Sequence, residues 1–319
     1  MPDTIETSTS ESTAEMTPVT VSPSELVRRA QSLVPMIRER QEETEANGRV
    51  SAEIFGAIRD AEIFKILLPR RYGGFEYGLD TFAEVGFEIA RGCGSVGWVN
   101  SVTAMYHVFL GMYPERAQDD VWGGNPGAVL AASFTPTGTV TPVDGGYSLT
   151  GKWMFCSGVD NCAWTIVGVT IPAAVEGEPD GKAYALVRTS EFDMENNWNV
   201  VGLSGTGSKN IMSNELFVPE YRLLPIEETM TGNPPGAAVN DGPLYRIPLF
   251  AAMSCSLVAP IMGMAQGAID EFIDLTKGRI TRGAALSKPA PMAELPGIQL
   301  KLGRRWPLWI PRGCWSTAI

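Results

Sequence analysis

The order of local sequence patterns is the feature that most constrains the fold of this chain. Up to about residue 126, apolar residues recur at helical spacing. From 127 to about 240, β-branched residues and turn signals recur, and after 247 the helical period returns. Helices and strands are segregated instead of alternating, which disfavours a Rossmann fold. We predict an α+β fold with an N-terminal α-helical domain, a middle β-barrel-like domain and an incomplete C-terminal helical bundle.

Cap and turn residues place individual elements within this order. Ser24 and Ser51 are expected to be the N-caps of the first two helices, because serine oxygens accept from exposed helix N–H groups. Further helices are predicted over residues 81–91, 95–112, 114–122, 247–282 and 292–302. Strands are predicted over residues 129–134, 138–143, 147–153, 163–171 and 182–188, followed by a bent strand over 198–218.

Composition and patterning divide the chain into five predicted segments. They are a disordered tail (1–22), an N-terminal helical domain (23–126), a middle β domain (127–240), the start of a C-terminal helical bundle (241–303) and an aberrant tail (304–319). The first tail is rich in Thr, Ser, Glu and Pro, which cannot supply a hydrophobic core. The last contains three Trp, two Pro and three Arg, and Pro307 and Pro311 would break a helix.

Charge, cysteine usage and hydropathy limit the classes of function. The 319 residues carry a net charge of −11, which argues against a nucleic-acid partner or an anionic membrane. The five cysteines form no CxxC pair and His107 is the single histidine, so no metal site is predicted. The lack of a signal peptide favours a reducing cytoplasm. The apolar stretch 249–268 is broken by Ser254, Pro260 and Gly263, so no membrane-spanning segment is expected.

Three motifs are candidates for binding or chemistry. Trp153 to Gly158 reads Trp-Met-Phe-Cys-Ser-Gly at the end of a predicted strand, which by itself also suits a plain strand end with a serine turn. Val201 to Ser208 reads Val-Gly-Leu-Ser-Gly-Thr-Gly-Ser; it is either a simple bend or a cradle in which backbone N–H groups bind phosphate. Gly92 to Trp98 enters a predicted helix, with Ser95 expected as its cap.

Taken together with the flanking helical segments, these motifs resemble the acyl-CoA dehydrogenase superfamily. More narrowly, they look like its flavin-dependent monooxygenase branch, the oxygenase components of two-component aromatic hydroxylases. The resemblance extends from about residue 25 to about residue 303. It implies reduced FMN or FAD as cofactor, a separate flavin reductase that supplies it, and an aromatic small-molecule substrate together with O2.

The resemblance also implies roles for individual residues. Ser157 is expected to place its hydroxyl and backbone N–H near the flavin N5 and O4, and it is the first of two predicted catalytic residues. The predicted cofactor-binding residues are Trp153, Phe155, Ser157, Gly158, Gly205, Thr206, Gly207 and Ser208. Relatives often carry Arg where this chain has Ser204, so a charged contact at that position is in doubt.

The second predicted catalytic residue lies on the helix that walls the substrate cavity in the family. His107 is expected to act close to the flavin hydroperoxide or the phenol, although a single histidine on a helix is more often structural. A shift of one residue in the alignment would place Tyr106 there instead. Trp98 and Tyr106 are the predicted substrate contacts, and no metal-binding residue is expected.

The function that the resemblance implies is hydroxylation of an aromatic or polycyclic phenolic substrate through a flavin C4a-hydroperoxide. Relatives take a second histidine from the C-terminal bundle as the base, and this chain has no histidine after His107. Two alternatives stay open: an acyl-CoA dehydrogenase, whose glutamate base from the same bundle is missing as well, and an inactive, truncated flavoprotein remnant.

The family continues after residue 303 with further helices, and intact relatives are homotetramers. We therefore interpret residues 304–319 as the product of a reading-frame error, with a genuine short C-terminus as the alternative. Without later helices, one apolar stripe in the 247–282 helix is expected to lack partners and to make the chain a poor enzyme, poorly soluble and a poor oligomer. That stripe comprises Met253, Leu257, Ile261, Met264 and Phe272.

Overall fold

The computed structural model describes residues 21–305 except 174, 176 and 283–288. The predictions for the tail before residue 21 and for the tail after residue 305 lie outside these residues. The first two described residues belong to the folded part and not to a disordered tail. Val21 is buried, and Tyr77 donates its hydroxyl hydrogen to the Val21 carbonyl at 2.6 Å.

Helices lie on both sides of the β region in the sequence, as the segregated pattern predicts. Before it come α1 (Pro23–Glu39), α2 (Gln41–Asn47), α3 (Ala52–Asp60), α4 (Leu79–Gly92), α5 (Gly94–Gly111) and α6 (Glu115–Trp122). After it come α7 (Leu249–Lys277) and α8 (Pro296–Arg305). The α+β fold class is confirmed, whereas the predicted domain boundaries stay predictions.

The middle segment forms a mixed sheet of seven strands within the described residues. The strands are β1 (Leu130–Val143), β2 (Gly146–Cys156), β3 (Trp164–Ile171), β4 (Gly181–Arg188), β5 (Asp193–Glu195), β6 (Lys209–Pro219) and β7 (Leu223–Pro225). Their order in the sheet is β5-β6-β2-β1-β3-β4-β7. The β1–β3 pair is parallel, and the other pairs are antiparallel.

Helix α5 links the helical layer to the sheet. It packs on α4 and α7 on one side and on β1 on the other, and almost all of its side chains are buried. A helix that is apolar on every face is typical of a protein interior. Because α5 follows α4 after the single residue Cys93, the two helices also fix where the sheet meets the helical layer.

Helix α7 approaches α4 closely through small side chains. Its buried face contains Ala252, Ser256, Ala259 and Gly263. A Cβ atom at Gly263 would lie 2.2 Å from the backbone oxygen of Phe87, so only glycine permits this spacing. The large side chains of the predicted stripe divide accordingly. Leu257, Ile261 and Phe272 are exposed, as expected for a stripe without partners, but Met253 is buried.

By length and composition alone, α7 is long and apolar enough to cross a membrane, although its apolar stretch was predicted to be interrupted. The prediction treated Ser254, Pro260 and Gly263 as interruptions, but the helix continues through all three. A core helix passes the same test, so this is weak evidence for a membrane span. In the described fold, a third of the most apolar window is buried inside the protein.

Several predicted element boundaries need correction. The first helix is capped by Ser22, whose Oγ accepts from the N–H of Glu25 at 3.2 Å, and not by Ser24. Ser51 caps α3 as predicted, accepting from the Ile54 N–H. The polar helix α2 and the short strands β5 and β7 were not predicted. The two strands predicted over 129–143 form the single strand β1, with a register shift between Ser133 and Gly138. The bent strand predicted over 198–218 starts only at residue 209.

The contact between α7 and α4 leads to a prediction about stability. Gly263→Ala should lower the free energy of unfolding by about 1–3 kcal/mol, because the new methyl group must push two helices apart. The matched control is Gly56→Ala in α3, where a Cβ meets nothing within 4 Å and should stabilise by about 0.5–1 kcal/mol. Urea denaturation measures both. Equal effects of the two changes would show that the helices do not pack at this spacing.

Candidate functional site

The end of β2 exposes one aromatic side chain through a β-bulge. The register of β2 against β6 shifts between Trp153 and Cys156. Within this bulge Phe155 has a φ of 62°, a left-handed conformation that is uncommon for a bulky residue. Phe155 is 58% exposed, and its ring contacts that of Trp198 edge-on with centroids 5.6 Å apart. Such strained positions concentrate at functional sites, and Trp198 was not among the predicted residues.

Trp153 lies on the other side of the bulge, in the core. Its ring is fully buried, and its Nε1–H donates to the Gly168 carbonyl at 2.6 Å. A Cβ at Gly138 or Gly151 would collide with the indole, so the sheet is built around it. This position gives Trp153 a packing role. A direct contact between Trp153 and flavin stays a prediction, which the geometry favours less than the same role for Phe155.

Ser157 follows the bulge and joins a chain of hydroxyl groups. Its Oγ lies 2.8 Å from the Oγ of Ser208, which in turn lies 2.7 Å from the Oγ1 of Thr206. On the other side, Trp98 of α5 donates its Nε1–H to the Ser157 Oγ at 3.3 Å. The two motifs that the sequence separates by about fifty residues therefore meet in one hydrogen-bonded group. Ser208 and Thr206 are buried, whereas Ser157 is partly exposed.

Gly158 connects this group to the buried helix. Its φ is 70°, and a Cβ there would lie 2.7 Å from the side chain of Val99 on α5. Its N–H donates to the Thr206 carbonyl at 2.9 Å. The turn after β2, the 3-10 turn Ser204–Thr206 and α5 are thus held at fixed separations, which places Ser157 beside Trp98.

The glycine-rich segment, residues 201–208, is held by hydrogen bonds to a carboxylate that the sequence analysis did not identify. Glu45 of α2 accepts hydrogen bonds from the backbone N–H of Ser204 at 3.1 Å and of Gly205 at 3.4 Å. It also accepts from the hydroxyl groups of Ser204 and Ser95. The N–H groups at 204 and 205 therefore already donate to a carboxyl group of the protein itself, so the geometry favours a bend over a phosphate cradle there, and the cofactor-binding roles of Gly205, Thr206, Gly207 and Ser208 stay predictions.

One further expectation about this region is corrected by the same contacts. Ser95 does not cap α5, because it lies inside the helix and its hydroxyl donates to Glu45. Gly207 has a φ of 58° and borders Gly48 and Asp160, so its freedom serves the turn. Asp160 forms an ion pair with Lys209 at the start of β6. No local sequence pattern predicts the contact between Glu45 and Ser204, because 159 residues separate them.

His107 does not take part in the hydrogen-bonded chain of Ser157, Ser208 and Thr206. It is buried, and its ring stacks on Trp122 with centroids 5.6 Å apart and planes 8° apart. Nine residues separate it from Trp98, which on a helix means opposite faces and about 13 Å along the axis. Neither ring nitrogen has a hydrogen-bond partner among the described residues, and burial lowers the pKa of His107 to about 3. The predicted catalytic role stays a prediction, and the geometry favours packing.

Tyr106, the alternative to His107, faces the sheet. Its ring centroid lies 5.8 Å from that of Phe134 on β1. Burial raises the pKa of Tyr106, and the thiols of Cys156 and Cys162 add smaller contributions in the same direction. Cys156 immediately precedes Ser157, so Tyr106 lies on the side of α5 that borders the β2 turn. The roles of Tyr106 and Trp98 as substrate contacts stay predictions.

Comparisons with known proteins agree with this architecture. Residues 28–122 match the family model of the acyl-CoA dehydrogenase N-terminal domain, and residues 255–306 match that of the C-terminal domain. The chain is 36% identical, over 87% of its length and 68% of the relative, to the oxygenase component of the FADH(2)-dependent resorcinol hydroxylase of Rhizobium sp. strain MTP-10005. The chain belongs to this family of flavin-dependent monooxygenase oxygenase components. That relative is named as FADH(2)-dependent.

Solved structures show the same relationship. The HsaA monooxygenase from M. tuberculosis superposes with a TM-score of 0.76 at 33% identity, covering 80% of this chain and 66% of that chain. XiaF from Streptomyces sp., solved with FADH2 and glycerol, superposes with a TM-score of 0.78 at 28% identity, covering 88% and 70%. The chain thus spans about two thirds of the length of the relatives it matches.

The Glu45 clamp predicts a local effect on the glycine-rich segment. Glu45→Gln replaces one acceptor oxygen by an NH2 group that faces donors, and should cost about 1–3 kcal/mol of stability. Hydrogen exchange at the amides of Ser204 and Gly205 should accelerate. The matched control is Glu43→Gln on the exposed side of α2, which should change neither quantity. Unchanged exchange in the Glu45 variant would contradict the clamp.

The burial of His107 predicts a pH dependence of stability. Its pKa is near 6.5 when unfolded and about 3 when folded, so between these values the unfolded chain binds the extra proton. The free energy of unfolding should therefore fall, as pH drops from 6.5 towards 3, by about 1.4 kcal/mol per pH unit from this group. His107→Phe keeps the ring on Trp122 and should remove that component of the slope. Identical slopes for both proteins in urea denaturation would contradict it.

Proposed function

We propose that this protein hydroxylates an aromatic or polycyclic phenolic substrate, using O2 and a reduced flavin delivered by a separate flavin reductase. The observation that carries the proposal is the juxtaposition, at the end of β2, of the exposed Phe155 ring and the partly exposed Ser157 hydroxyl. The relatives support it: one is named a resorcinol hydroxylase and another, from Acinetobacter baumannii, a p-hydroxyphenylacetate 3-hydroxylase.

The residues at this position fit a flavin ring. An isoalloxazine needs an apolar surface against its face and hydrogen-bonding groups at its polar edge. Phe155 supplies an exposed apolar ring held by a strained backbone, and Ser157 supplies the polar group two residues away. When bound, reduced flavin supplies the electrons that activate O2 for insertion into the substrate. FADH2 and FMNH2 both satisfy these requirements.

The residues of the chain orient the reactants and exclude water. Trp98 and Ser208 hold the Ser157 hydroxyl from two sides, so this group reaches the flavin edge without a search among rotamers. The edge-on pair of Phe155 and Trp198 covers the same region with apolar surface, which limits the access of water. Tyr106 and Trp98 lie on the α5 side, where we place the aromatic substrate.

The remaining features of the proposal concern the whole protein. By analogy with intact relatives, we propose a homotetramer that works in the cytoplasm without nucleic-acid or membrane partners. The acidic net charge of −11 supports the absence of nucleic acid. The predicted division into domains at residues 126 and 240 belongs to the same proposal, because α6 ends at Trp122 and α7 begins at Leu249.

The test uses the full chain and a Ser157→Ala variant. Anaerobic equilibrium dialysis with FADH2 should show binding that the variant weakens roughly fivefold or more, the value of about one hydrogen bond. With resorcinol as phenolic probe, the variant should convert less of the consumed O2 into hydroxylated product and more into H2O2. Ser213→Ala is the matched control, because Ser213 is a buried hydroxyl on β6 that donates to the Leu149 carbonyl.

The same assay separates the competing functions. Bleaching of the oxidised flavin by an acyl-CoA would show an acyl-CoA dehydrogenase instead of a hydroxylase. No binding of FADH2 by the unmodified chain would indicate an inactive flavoprotein remnant. Equal affinity and equal H2O2 release in Ser157→Ala and the unmodified chain would remove Ser157 from the flavin site.

A further inference from the structure

The hydroxyl chain at Ser157 has a direction that its end groups determine. A carbonyl oxygen only accepts, so the 2.9 Å contact between Thr206 Oγ1 and the Leu203 carbonyl uses the single hydrogen of the Thr206 hydroxyl. The Ser208 hydroxyl must then donate to Thr206 across their 2.7 Å contact. With the Ser208 hydrogen used, Ser157 must donate to Ser208 across 2.8 Å.

The other end of the chain leads to the same direction. The indole N–H of Trp98 only donates, so Ser157 accepts from it at 3.3 Å. The Ser157 hydroxyl hydrogen is therefore committed to Ser208, and one of its two lone pairs is committed to Trp98. Among the described residues, its second lone pair has no donor. Ser157 thus presents an acceptor, and not a donor, to a ligand at the end of β2.

The carbonyl on which the chain ends is held in place from the outside. Leu203 has a φ of 60°, and its carbonyl also accepts from the indole N–H of Trp198 at 2.9 Å. Trp198 contacts the ring of Phe155, so the same indole borders the apolar part of the site. Ser208 and Thr206 are both 2% exposed, so water does not compete for their hydrogens. Buried chains of this kind keep one polarity, because reversal requires every hydroxyl to rotate together.

We propose that Ser208 and Thr206 are positioning residues that make the site select reduced over oxidised flavin. The inference rests on the proposed function, because it places the Ser157 hydroxyl at the flavin N5. Reduced flavin carries a hydrogen on N5 and donates; oxidised flavin carries a lone pair on N5 and accepts. A Ser157 oxygen that is fixed as an acceptor forms a hydrogen bond with the first and opposes the second. The two buried hydroxyl groups thereby determine the redox state that binds, without touching the cofactor.

The test is the ratio of two affinities, measured on the full chain. Dissociation constants are determined by equilibrium dialysis for oxidised FAD, and under anaerobic conditions for FADH2. In Ser208→Ala the Ser157 hydrogen is released and can rotate towards N5. Binding of oxidised FAD should tighten and binding of FADH2 should weaken, so that the preference for FADH2 falls about fivefold or more, as expected for one hydrogen bond.

A second variant changes the hydroxyl group at the far end of the hydrogen-bonded chain, next to the Leu203 carbonyl. Thr206→Val keeps the shape of the side chain but removes the acceptor of the Ser208 hydrogen, which can then turn towards Ser157 and reverse the chain. The preference for FADH2 should fall in this variant as well. Ser208→Thr, which retains the hydroxyl, should restore the preference. Ser213→Ala on the same strand should leave the ratio unchanged, because its hydroxyl donates to Leu149 outside the chain.

The outcomes distinguish this inference from the proposed function. If the unmodified chain does not bind FADH2, the proposed function fails, and the inference fails with it. If it binds, but Ser208→Ala and Thr206→Val change both dissociation constants by the same factor, the two residues are merely structural and only the inference is overturned. A preference for FADH2 that rises in Ser208→Ala would show that the hydrogen bonds of the three hydroxyl groups point in the opposite direction.

Discussion

The burial of α5 is the constraint on which the rest of this structure depends. Helix α5 is enclosed by α4, α7 and β1 and most of its side chains are buried, so a polar group on it is stabilised when it pairs with another group of the protein. Two of these partnerships build the site. Ser95 donates to Glu45, which holds the glycine-rich segment, and Trp98 donates to Ser157, which orients the end of β2. Hydrogen bonds from a core helix therefore position both the glycine-rich segment and the end of β2.

Glu45 shows how one carboxylate replaces a bound anion in shaping a loop. Backbone N–H groups in a tight turn attract negative charge, and in many proteins a phosphate satisfies them. Here the carboxylate of α2 reaches the N–H groups of Ser204 and Gly205. A hydrogen bond to a charged acceptor contributes about 1.5–3 kcal/mol, more than a neutral one. The glycine-rich segment thus holds its shape without a ligand, which leaves Ser208 and Thr206 in position before flavin arrives.

The sequence predicts the parts of the site better than their arrangement. The helical period predicts α5, and the motif from Trp153 to Gly158 predicts the end of β2 and the turn that carries Ser157. Strict alternation along β2 would put Trp153 and Phe155 on one face of the sheet. The left-handed φ of Phe155 separates them, one into the core and the other to the surface. A positive φ at phenylalanine has no sequence signal, since glycine or asparagine is the usual residue there.

Contacts between distant segments escape sequence reasoning for a related reason. The pairing of Ser157 with Ser208 joins two motifs that were both identified, but their adjacency depends on the register of β2 against β6. The role of Glu45 depends on the packing of α2, a polar helix whose sequence predicts no buried face. Helix α7 is a further example: the sequence pattern marks its large apolar side chains, but small residues form the contact with α4 because they let the backbones approach.

The assignment of roles along α5 depends on a rotation of about 100° per residue. Tyr106 and His107 are adjacent in sequence, but one faces β1 and the other stacks on Trp122 of α6. A shift of one residue in an alignment therefore exchanges a side chain beside the β2 turn for one in the opposite part of the core. Burial without a partner for either nitrogen lowers the pKa of His107 to about 3, so its ring carries no positive charge at neutral pH. The hydroxyl of Tyr106, whose pKa burial raises, stays protonated beside the β2 turn.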